Sequence, residues 1–264
     1  MHQPLLKSYK NRFPFILSVP SFIYKDGYVA NVKMLGPCVD EIELLLFESA
    51  LSCTPSYGVI KQLKDMGDKF TLTYNIHMPV DIYLGHYKEK IRKYAMDTVL
   101  NFIDLTESLK PSTRTLHLNM NQNGMDKKEI LKWKKCLRKS FEFFEESGVN
   151  CSDFTIENLN YPCELLDELL SDFKLGVCLD IGHLIMEQVD ISLMYEKYRD
   201  RIKIIHLHGS DGIVDHTSLK KLSGKNSGKI VEILKDFTKP VSVEVFSRND
   251  LQDSLEFLEK LLYS

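Results

Sequence analysis

Residues 154–208 contain three short apolar segments that each end in a carboxylate or an imidazole: Phe154-Thr-Ile-Glu157, Gly176-Val-Cys-Leu-Asp180 and Ile202-Lys-Ile-Ile-His206. Most such runs in this chain are continuous rather than alternating, which is typical of strands covered on both faces in a parallel sheet. The eight predicted strands are Phe15–Val19, Ile42–Phe47, Phe70–Ile76, Thr113–Leu118, Phe154–Ile156, Gly176–Leu179, Ile202–Leu207 and Val241–Val245.

Helical patterns lie between these strands. They cover Tyr87–Leu109, Asp126–Ser147, Pro162–Phe173, Ile191–Arg201, Ser227–Phe237 and Leu251–Leu262, with shorter candidates near Asn31–Pro37 and Pro55–Met66. Asp126 with Glu129 predicts a capping box, and Gly148 fits the position just past the end of that helix. Because strand and helix alternate eight times, a single (β/α)8 TIM barrel of class α/β is the most economical fold, and an open doubly wound sheet is the alternative.

The length and composition are those of one globular domain. The chain has 264 residues, of which 44% are hydrophobic and 27% charged, so it can bury a sizeable core without disulfides or a partner. No linker or low-complexity segment divides the sequence. We therefore predict one barrel domain over residues 1–264, with residues 1–12 as an N-terminal extension.

Composition also restricts the cellular location and the partners. The six cysteines contain no CxxC pair, so we expect reduced thiols and a cytoplasmic protein. The sequence has no apolar stretch of about 18 residues, the length of a membrane-spanning helix. A net charge of −3 with a pI of about 6.3 weighs against a protein that holds nucleic acid through its phosphates. A small-molecule substrate is therefore expected.

Side chains of metal-binding type fall at the ends of six consecutive predicted strands. They are His77, His117, Glu157, Asp180 with His183, His206 with His208, and Glu244. One histidine at a strand end is more often structural than a ligand, but buried charges are costly unless they are paired or coordinated. In a barrel all these positions converge on the C-terminal mouth, where catalytic residues of this fold lie. The mixed nitrogen and oxygen donors favour divalent Zn, Mn, Fe or Co.

The segment after the seventh predicted strand carries two more potential ligands. Asp215 and His216 could complete a second metal centre at the same mouth. The alternative is a turn specified by Gly209, Asp211 and Gly212, which would explain the glycines but not the histidines.

The order of these residues resembles that of the xylose-isomerase-like barrel superfamily, which contains the endonuclease IV-type nucleases and many sugar isomerases and epimerases. The resemblance spans nearly the whole chain and rests on His77, His117, Glu157, Asp180, His183, His206 and Glu244. In the nuclease branch an Asp-x-His motif follows the seventh strand, whereas Asp215 and His216 are adjacent in this chain. The resemblance implies a metal site. Because the Asp-x-His spacing is absent, it does not decide whether this chain has the third metal site of the nucleases.

This resemblance implies two reactions. Isomerases and epimerases of the superfamily bind one metal, and two of its glutamate ligands also transfer protons. The equivalents of those ligands are Glu157, Asp180, His206 and Glu244. Further imidazoles are present at His77, His117, His183 and His216. Multi-metal phosphodiester hydrolysis uses such groups, whereas a single-metal isomerase or a non-catalytic carrier does not need them. The hydrolase is favoured, and a sugar or sugar-phosphate isomerase or epimerase is the alternative.

Three segments are similar to the cobamide-remodeling phosphodiesterases of this superfamily: Pro20–Tyr24, Val39–Glu48 and the His-Leu-His-Gly-x-Asp-Gly loop from His206. That family hydrolyses the nucleotide-loop phosphodiester of vitamin B12-type corrinoids to cobinamide phosphate and an α-ribazole-type nucleoside. The similarity implies a corrinoid substrate for this chain.

The implied mechanism is metal-assisted hydrolysis around a bridging Glu157, with more than one metal ion. One metal would be held by His77 and His117, and the other by Asp180, His206 and Glu244. A bound water with a pKa near neutrality would then supply hydroxide for in-line attack on phosphorus. His183 and His216 would hold a further metal or contact the phosphate, so the expected catalytic residues are Glu157, His183 and His216.

The sequence does not assign single roles to three tyrosines and two glutamates near the predicted mouth. Tyr24, Tyr74 or Tyr83 could line the wall against a large ring. Glu43 and Glu48 of the second predicted strand are expected to point towards the mouth, where Glu48 is either a neighbour of a ligand or a salt-bridged carboxylate at the rim.

Overall fold

The computed structural model describes residues 2–120, 126–210 and 214–263. Eight parallel strands pair in chain order, and the eighth pairs with the first, so that the sheet closes into a barrel. The strands are β1 (Ile16–Pro20), β2 (Glu41–Leu45), β3 (Thr73–His77), β4 (Arg114–Leu116), β5 (Phe154–Glu157), β6 (Gly176–Asp180), β7 (Ile202–Leu207) and β8 (Pro240–Val243). The predicted single (β/α)8 TIM barrel is confirmed, and the open-sheet alternative is wrong.

Nine α-helices lie between or after the strands in the described part of the chain. They are α1 (Tyr28–Leu35), α2 (Tyr57–Phe70), α3 (Glu89–Thr106), α4 (Lys127–Glu146), α5 (Asp167–Asp172), α6 (Ile181–Met186), α7 (Ile191–Tyr198), α8 (Gly224–Asp236) and α9 (Arg248–Tyr263). Short 3-10 turns cover Glu107–Leu109, Cys151–Asp153, Cys163–Leu166 and Leu219–Lys221. Within the described ranges, no helix has the length and apolar character required to cross a bilayer.

The helix α4 begins and ends as the sequence predicts. The Asp126 carboxylate accepts from the backbone N–H groups of Lys128 and Glu129, and the Glu129 side chain accepts from the N–H of Asp126. Gly148 has a φ of 82°, a left-handed conformation that glycine adopts without steric cost. The predicted capping box and helix end are confirmed.

Several other boundaries differ from the prediction. Phe70, predicted to begin the third strand, is the last residue of α2, because the helix continues until Thr71 adopts a left-handed φ of 50°. The helix predicted over Pro162–Phe173 is divided into a 3-10 turn and the short α5, and the N–H of Leu165 bonds back to the Pro162 carbonyl. The helix α6 was not predicted, since its sequence directly continues that of β6. The remaining ends differ by a few residues.

The segment before β1 lies in the seam between the first and the last helix. The N–H of Tyr9 donates to the Cys38 carbonyl just after α1, at 2.8 Å. On the other side, the N–H of Leu6 donates to Gln252 of α9, at 2.9 Å. The Tyr9 side chain is fully buried, and the Gln252 amide donates to its hydroxyl. Residues 2–12 thus join α1 to α9 on the outside of the closed sheet.

Candidate metal centre

The C-terminal ends of the strands β3 to β8 each bring one predicted ligand to the mouth of the barrel. In chain order these are His77, His117, Glu157, Asp180, His206 and Glu244. The pairing of β6 with β7 sets Asp180 directly beside His206. Five of the six residues are at most 3% exposed, and His117 is the exception. Three buried carboxylates therefore require positive charge close by.

The Glu157 carboxylate is the point at which these side chains meet. Its Oε2 lies 3.0 Å from His117 Nε2, 3.2 Å from His77 Nε2 and 3.5 Å from His206 Nδ1. Burial by itself would raise the pKa of Glu157, but the charges of His117 and His206 and the hydrogen bonds from His117 and His77 outweigh it. The pKa therefore lies well below its ordinary value. Glu157 is therefore held in its ionised form, which suits it to binding a cation.

In His77 and His183 the Nδ1 atom of the ring lies against a backbone carbonyl, so Nε2 is the nitrogen that would bind a ligand. His77 Nδ1 lies 3.0 Å from the Met78 carbonyl, and His183 Nδ1 lies 3.2 Å from the Asn158 carbonyl. Because a carbonyl can only accept, Nδ1 of each ring is assigned a proton. Nε2 of His183 then keeps its lone pair, whereas Nε2 of His77 lies 3.2 Å from the Glu157 carboxylate and would lose its proton on binding a metal. Metal-binding histidines usually donate their second nitrogen in this way. Both residues therefore have the arrangement of metal ligands.

His206 lies between the acidic groups of the centre. Its Nδ1 is 3.1 Å from Glu244 Oε2 and 3.9 Å from Asp180 Oδ2, and its Nε2 is 2.9 Å from Oε1 of the fully buried Glu43. Burial lowers the pKa of the imidazole, but Cys178 and the surrounding carboxylates raise it well above its ordinary value. The site therefore favours a positive charge at this position, either a proton or a metal ion.

The donor atoms around His206 fit a divalent cation. Asp180 Oδ2 and His206 Nδ1 have ion-pair contacts, but they are among the buried polar atoms of the described residues that make no hydrogen bond of good geometry, although such atoms are normally satisfied. The other oxygen of Asp180 accepts from the His183 N–H at 2.7 Å and caps α6. Ligand atoms of Asp180, His206 and Glu244 lie within 4.8 Å of one another. A mixed nitrogen and oxygen set at this spacing suits Zn or a related transition metal.

A third group consists of His183, His208 and His216, whose ring nitrogens also lie within 4.8 Å of one another. The rings of His208 and His216 stack with centroids 4.1 Å apart. His216 Nε2 lies 3.6 Å from Glu244 Oε2, which connects this group to the carboxylates of the centre.

Asp215, predicted as a metal ligand, lies on the outer side of the His216 ring. Its Oδ1 is 3.3 Å from His216 Nδ1, its side chain is 46% exposed, and it belongs to none of the ligand groups formed by the described residues. Because His216 Nε2 faces inward, the ring separates Asp215 from the centre. Asp211 and Gly212 of the predicted turn lie outside the described residues.

Two of the three tyrosines proposed to line a substrate wall are in the core instead. Tyr24 and Tyr74 are buried, and their hydroxyls donate to the carbonyls of Gln3 and Leu63. Tyr83 is 41% exposed in the loop after β3. Their sequence context does not separate these cases, since each tyrosine lies in or near a strand.

The two glutamates of the second predicted strand have different surroundings. Glu48 is exposed and accepts a hydrogen bond from the Cys53 thiol at 3.1 Å, so its partner is a thiol rather than a cation. Glu43 points into the barrel and reaches His206 from β2, across the interior. No partner was predicted for Glu43; the available signal was an acidic residue within an otherwise apolar strand.

Large apolar side chains surround the mouth. The loops after β1, β2, β3, β7 and β8 each expose one by at least 40%: Phe22, Leu51, Tyr83, Val214 and Phe246. A cavity of about 310 Å³ also opens beside His183, between the loop after β5 and the helices α6 and α7. Its lining includes Asn158, Tyr161, Cys163, Leu184 and Met194. The metal centre thus adjoins apolar surface on several sides.

Comparison with known proteins identifies relatives over nearly the whole chain. The uncharacterized protein MJ1614 of Methanocaldococcus jannaschii is 27% identical over 245 residues, which covers 87% of this chain and 94% of that protein. The crystal structure of a D-tagatose 3-epimerase-like protein is similar with a TM-score of 0.76 at 18% identity, over 94% of this chain and 97% of the other. The TTHB071 protein from Thermus thermophilus, soaked with ZnCl2, gives a TM-score of 0.69 at 20% identity, over 94% and 97%.

The likeness to these solved structures shows the fold alone. The sequence pattern of one family, described as xylose isomerase-like TIM barrel, matches residues 31–261. Members of this family are enzymes, and they usually bind divalent metals. Because the match covers most of the chain and the barrel carries the expected strand-end ligands, this protein belongs to the xylose isomerase-like TIM barrel family.

Proposed function

We propose that the protein is a metal-dependent hydrolase that cleaves a phosphodiester with more than one divalent metal ion. The observation that carries this proposal is the position of Glu157 between two groups of ligands. Its Oε2 contacts His77 and His117 on one side and lies 3.5 Å from His206 Nδ1 on the other. Sites with two metals about 3.5–4 Å apart activate water and clamp both oxygens of an in-line displacement.

The charged state of Glu157 and Glu244 suits both side chains to binding a cation. An epimerase of this family would use Glu157 and Glu244 as acid and base. Burial alone would raise the pKa of both, but neighbouring imidazoles, with His206 common to the two sites, hold both values well below the ordinary range. Carboxylates stabilised in their charged form can act as metal ligands in either reaction.

Each group of ligands then has a definite role. His77, His117 and Glu157 would hold one metal, and Glu157, Asp180, His206 and Glu244 the other. When bound, the metals lower the pKa of a water and polarise the phosphate. His183 and His216, which lie beside these carboxylates at 3.4 Å from Glu157 and 3.6 Å from Glu244, would bind a further ion or the phosphate oxygens.

The substrate that we propose is a cobamide, cleaved at its nucleotide-loop phosphodiester. The similarity of Pro20–Tyr24 and Val39–Glu48 to the cobamide-remodeling enzymes supports this choice. The exposed apolar side chains at the rim also support it, because a large ring can cover more of this apolar surface than a sugar can. The cavity beside His183 would accept the nucleoside half of such a substrate.

The second candidate is a single-metal sugar or sugar-phosphate isomerase or epimerase. The comparisons favour this candidate over the hydrolase, because a matched structure is that of a D-tagatose 3-epimerase-like protein. The four side chains that such a reaction needs are also present: Glu157, Asp180, His206 and Glu244. The further imidazoles are more than this chemistry requires.

One experiment separates the two candidates. The metal-replete protein is incubated with a complete adenosylcobamide under reducing conditions, and in parallel with ketohexoses and their phosphates, and the products are separated chromatographically. We expect cobinamide phosphate and a nucleoside, lost by orders of magnitude in Glu157→Ala and retained in Glu48→Ala, which changes an exposed carboxylate of the rim. An intact cobamide together with epimerised sugar would establish the second candidate.

A further inference from the structure

His208 is fully buried although it follows the last residue of β7, and its ring occupies space that a glycine leaves open. A Cβ at Gly182 would lie 2.2 Å from His208 Cε1 and 2.3 Å from Nε2. Such distances are far below van der Waals contact, so no larger residue fits at 182 while the ring stays in place. The His208 ring can therefore occupy this position only because residue 182, in the Asp180-Ile-Gly-His183 segment, is a glycine.

Both ring nitrogens of His208 are directed at other parts of the centre. The backbone N–H of His216 donates to Nδ1 at 3.0 Å. The Gly209 carbonyl lies 3.2 Å from the same atom, but a backbone N–H can only donate, so Nδ1 acts as the acceptor. The ring proton is then on Nε2, which lies 3.3 Å from Asp180 Oδ1.

This arrangement is opposite to that of His77 and His183. Those rings have Nδ1 against a carbonyl oxygen, so that Nε2 is the nitrogen directed at a ligand. His208 uses its Nδ1 lone pair on the His216 N–H, so the ring proton is on Nε2, which is within ion-pair distance of Asp180 but makes no hydrogen bond of good geometry. In this tautomer neither nitrogen has a lone pair for a metal. Its closeness to the rings of His183 and His216 is therefore not coordination.

We propose that His208 is a positioning residue of the metal centre. Through Nε2 it holds Asp180 Oδ1, which also accepts the His183 N–H, so that Asp180 Oδ2 faces His206. Through Nδ1 it holds His216, whose φ of 51° is in the left-handed region that residues other than glycine seldom adopt. One ring thus fixes two candidate ligands. The inference rests on the proposed metal centre and not on the identity of the substrate.

The test measures metal binding rather than turnover. Metal per protein is counted by mass spectrometry after gel filtration, and affinity is measured by competition with a chelator. In His208→Ala we expect the number of ions of the wild type with an affinity about 10–100-fold lower, as for other residues that orient ligands. In His208→Gln, whose amide can donate to Asp180, the affinity should recover in part. Loss of one whole ion in His208→Ala, or no recovery in His208→Gln, would overturn the proposal.

Gly182→Ala tests the proposal independently, because it displaces the His208 ring without changing a metal ligand. We expect the affinity of this variant to fall as far as that of His208→Ala. In the double variant the Cβ occupies the space that the ring leaves, so the melting temperature should rise above that of Gly182→Ala, whereas the affinity should stay low. An unchanged affinity in Gly182→Ala would contradict the inference. A wild type that binds metal but cleaves no cobamide would refute the proposed reaction alone.

Discussion

The carboxylate of Glu43 lies 2.9 Å from His206 Nε2, on the opposite side of the ring from the atoms that would hold the metal. The Ser242 hydroxyl donates to its other oxygen, which keeps the side chain in place. A carboxylate in this relation to a metal-binding histidine orients the ring and increases its basicity. Glu43 should therefore affect the metal without binding it.

Glu43→Gln tests this role, since the amide keeps the shape of the side chain and removes its charge. We expect metal affinity to fall about 10–100-fold at unchanged stoichiometry, because His206 loses a partner that stabilises its orientation. Chelator competition measures the change, and Glu48→Gln, an exposed residue of the same region, is the matched control. Equal affinities for Glu43→Gln and the wild type would show that the contact has no effect on the metal.

Strand-end position was the signal that made most of the site predictable. His77, Glu157 and Asp180 end their strands, and parallel strands of a barrel bring such residues to one mouth whatever the details of packing. Glu43 was not assigned because its partner is on β7, and only closure of the barrel brings the two together. The outward position of Asp215 could not be predicted, because the side to which a loop residue turns depends on the backbone of its neighbour.

At the scale of secondary-structure elements, the contribution of one local sequence signal to stability can be measured at the N-cap of α4. The Asp126 carboxylate satisfies two backbone N–H groups at the start of the helix. Asp126→Ala should lower the free energy of unfolding by about 1 kcal/mol, the usual effect of losing an N-cap. Urea denaturation measures it, and Lys127→Ala, an exposed change in the same turn, is the control. Equal losses in the two variants would assign the effect to the exposed turn and not to the cap.

The elements that were predicted well are those with local signals. The capping box and Gly148 define α4 within the helix itself. The end of α2 depends on Thr71, a β-branched residue that seldom adopts positive φ, so its sequence gives no stop signal there. The start of α6 depends on Asp180, which both caps the helix and faces the metal centre. These two boundaries are determined by tertiary packing, which no local pattern records.

For the molecule as a whole, we expect the candidate metal centre also to be a source of stability. Four carboxylates that are at most 3% exposed share it: Glu43, Glu157, Asp180 and Glu244. Buried charge is costly unless it is compensated, and a divalent ion compensates it in the folded state alone. Chelation should therefore lower the melting temperature, and added Zn or Mn should restore it, with about 2.7 kcal/mol gained at 100 times Kd. In Glu157→Ala the response should be much smaller. An equal melting temperature with and without chelator would contradict this account.

Closure of the barrel leaves a seam where the first and last helices meet, and Tyr9 lies in it. Its ring is fully buried and its hydroxyl accepts from Gln252 of α9, while its N–H bonds to the chain after α1. Tyr9→Ala should lower the free energy of unfolding by about 3–5 kcal/mol, the usual effect of removing a buried aromatic ring. Tyr9→Phe, which loses only the hydrogen bond, should lower it by about 1 kcal/mol. Metal stoichiometry should stay unchanged in both, since the seam is outside the sheet that holds the ligands. A Tyr9→Ala variant that unfolds at the urea concentration of the wild type would mean that residues 2–12 add nothing to the closure of the barrel.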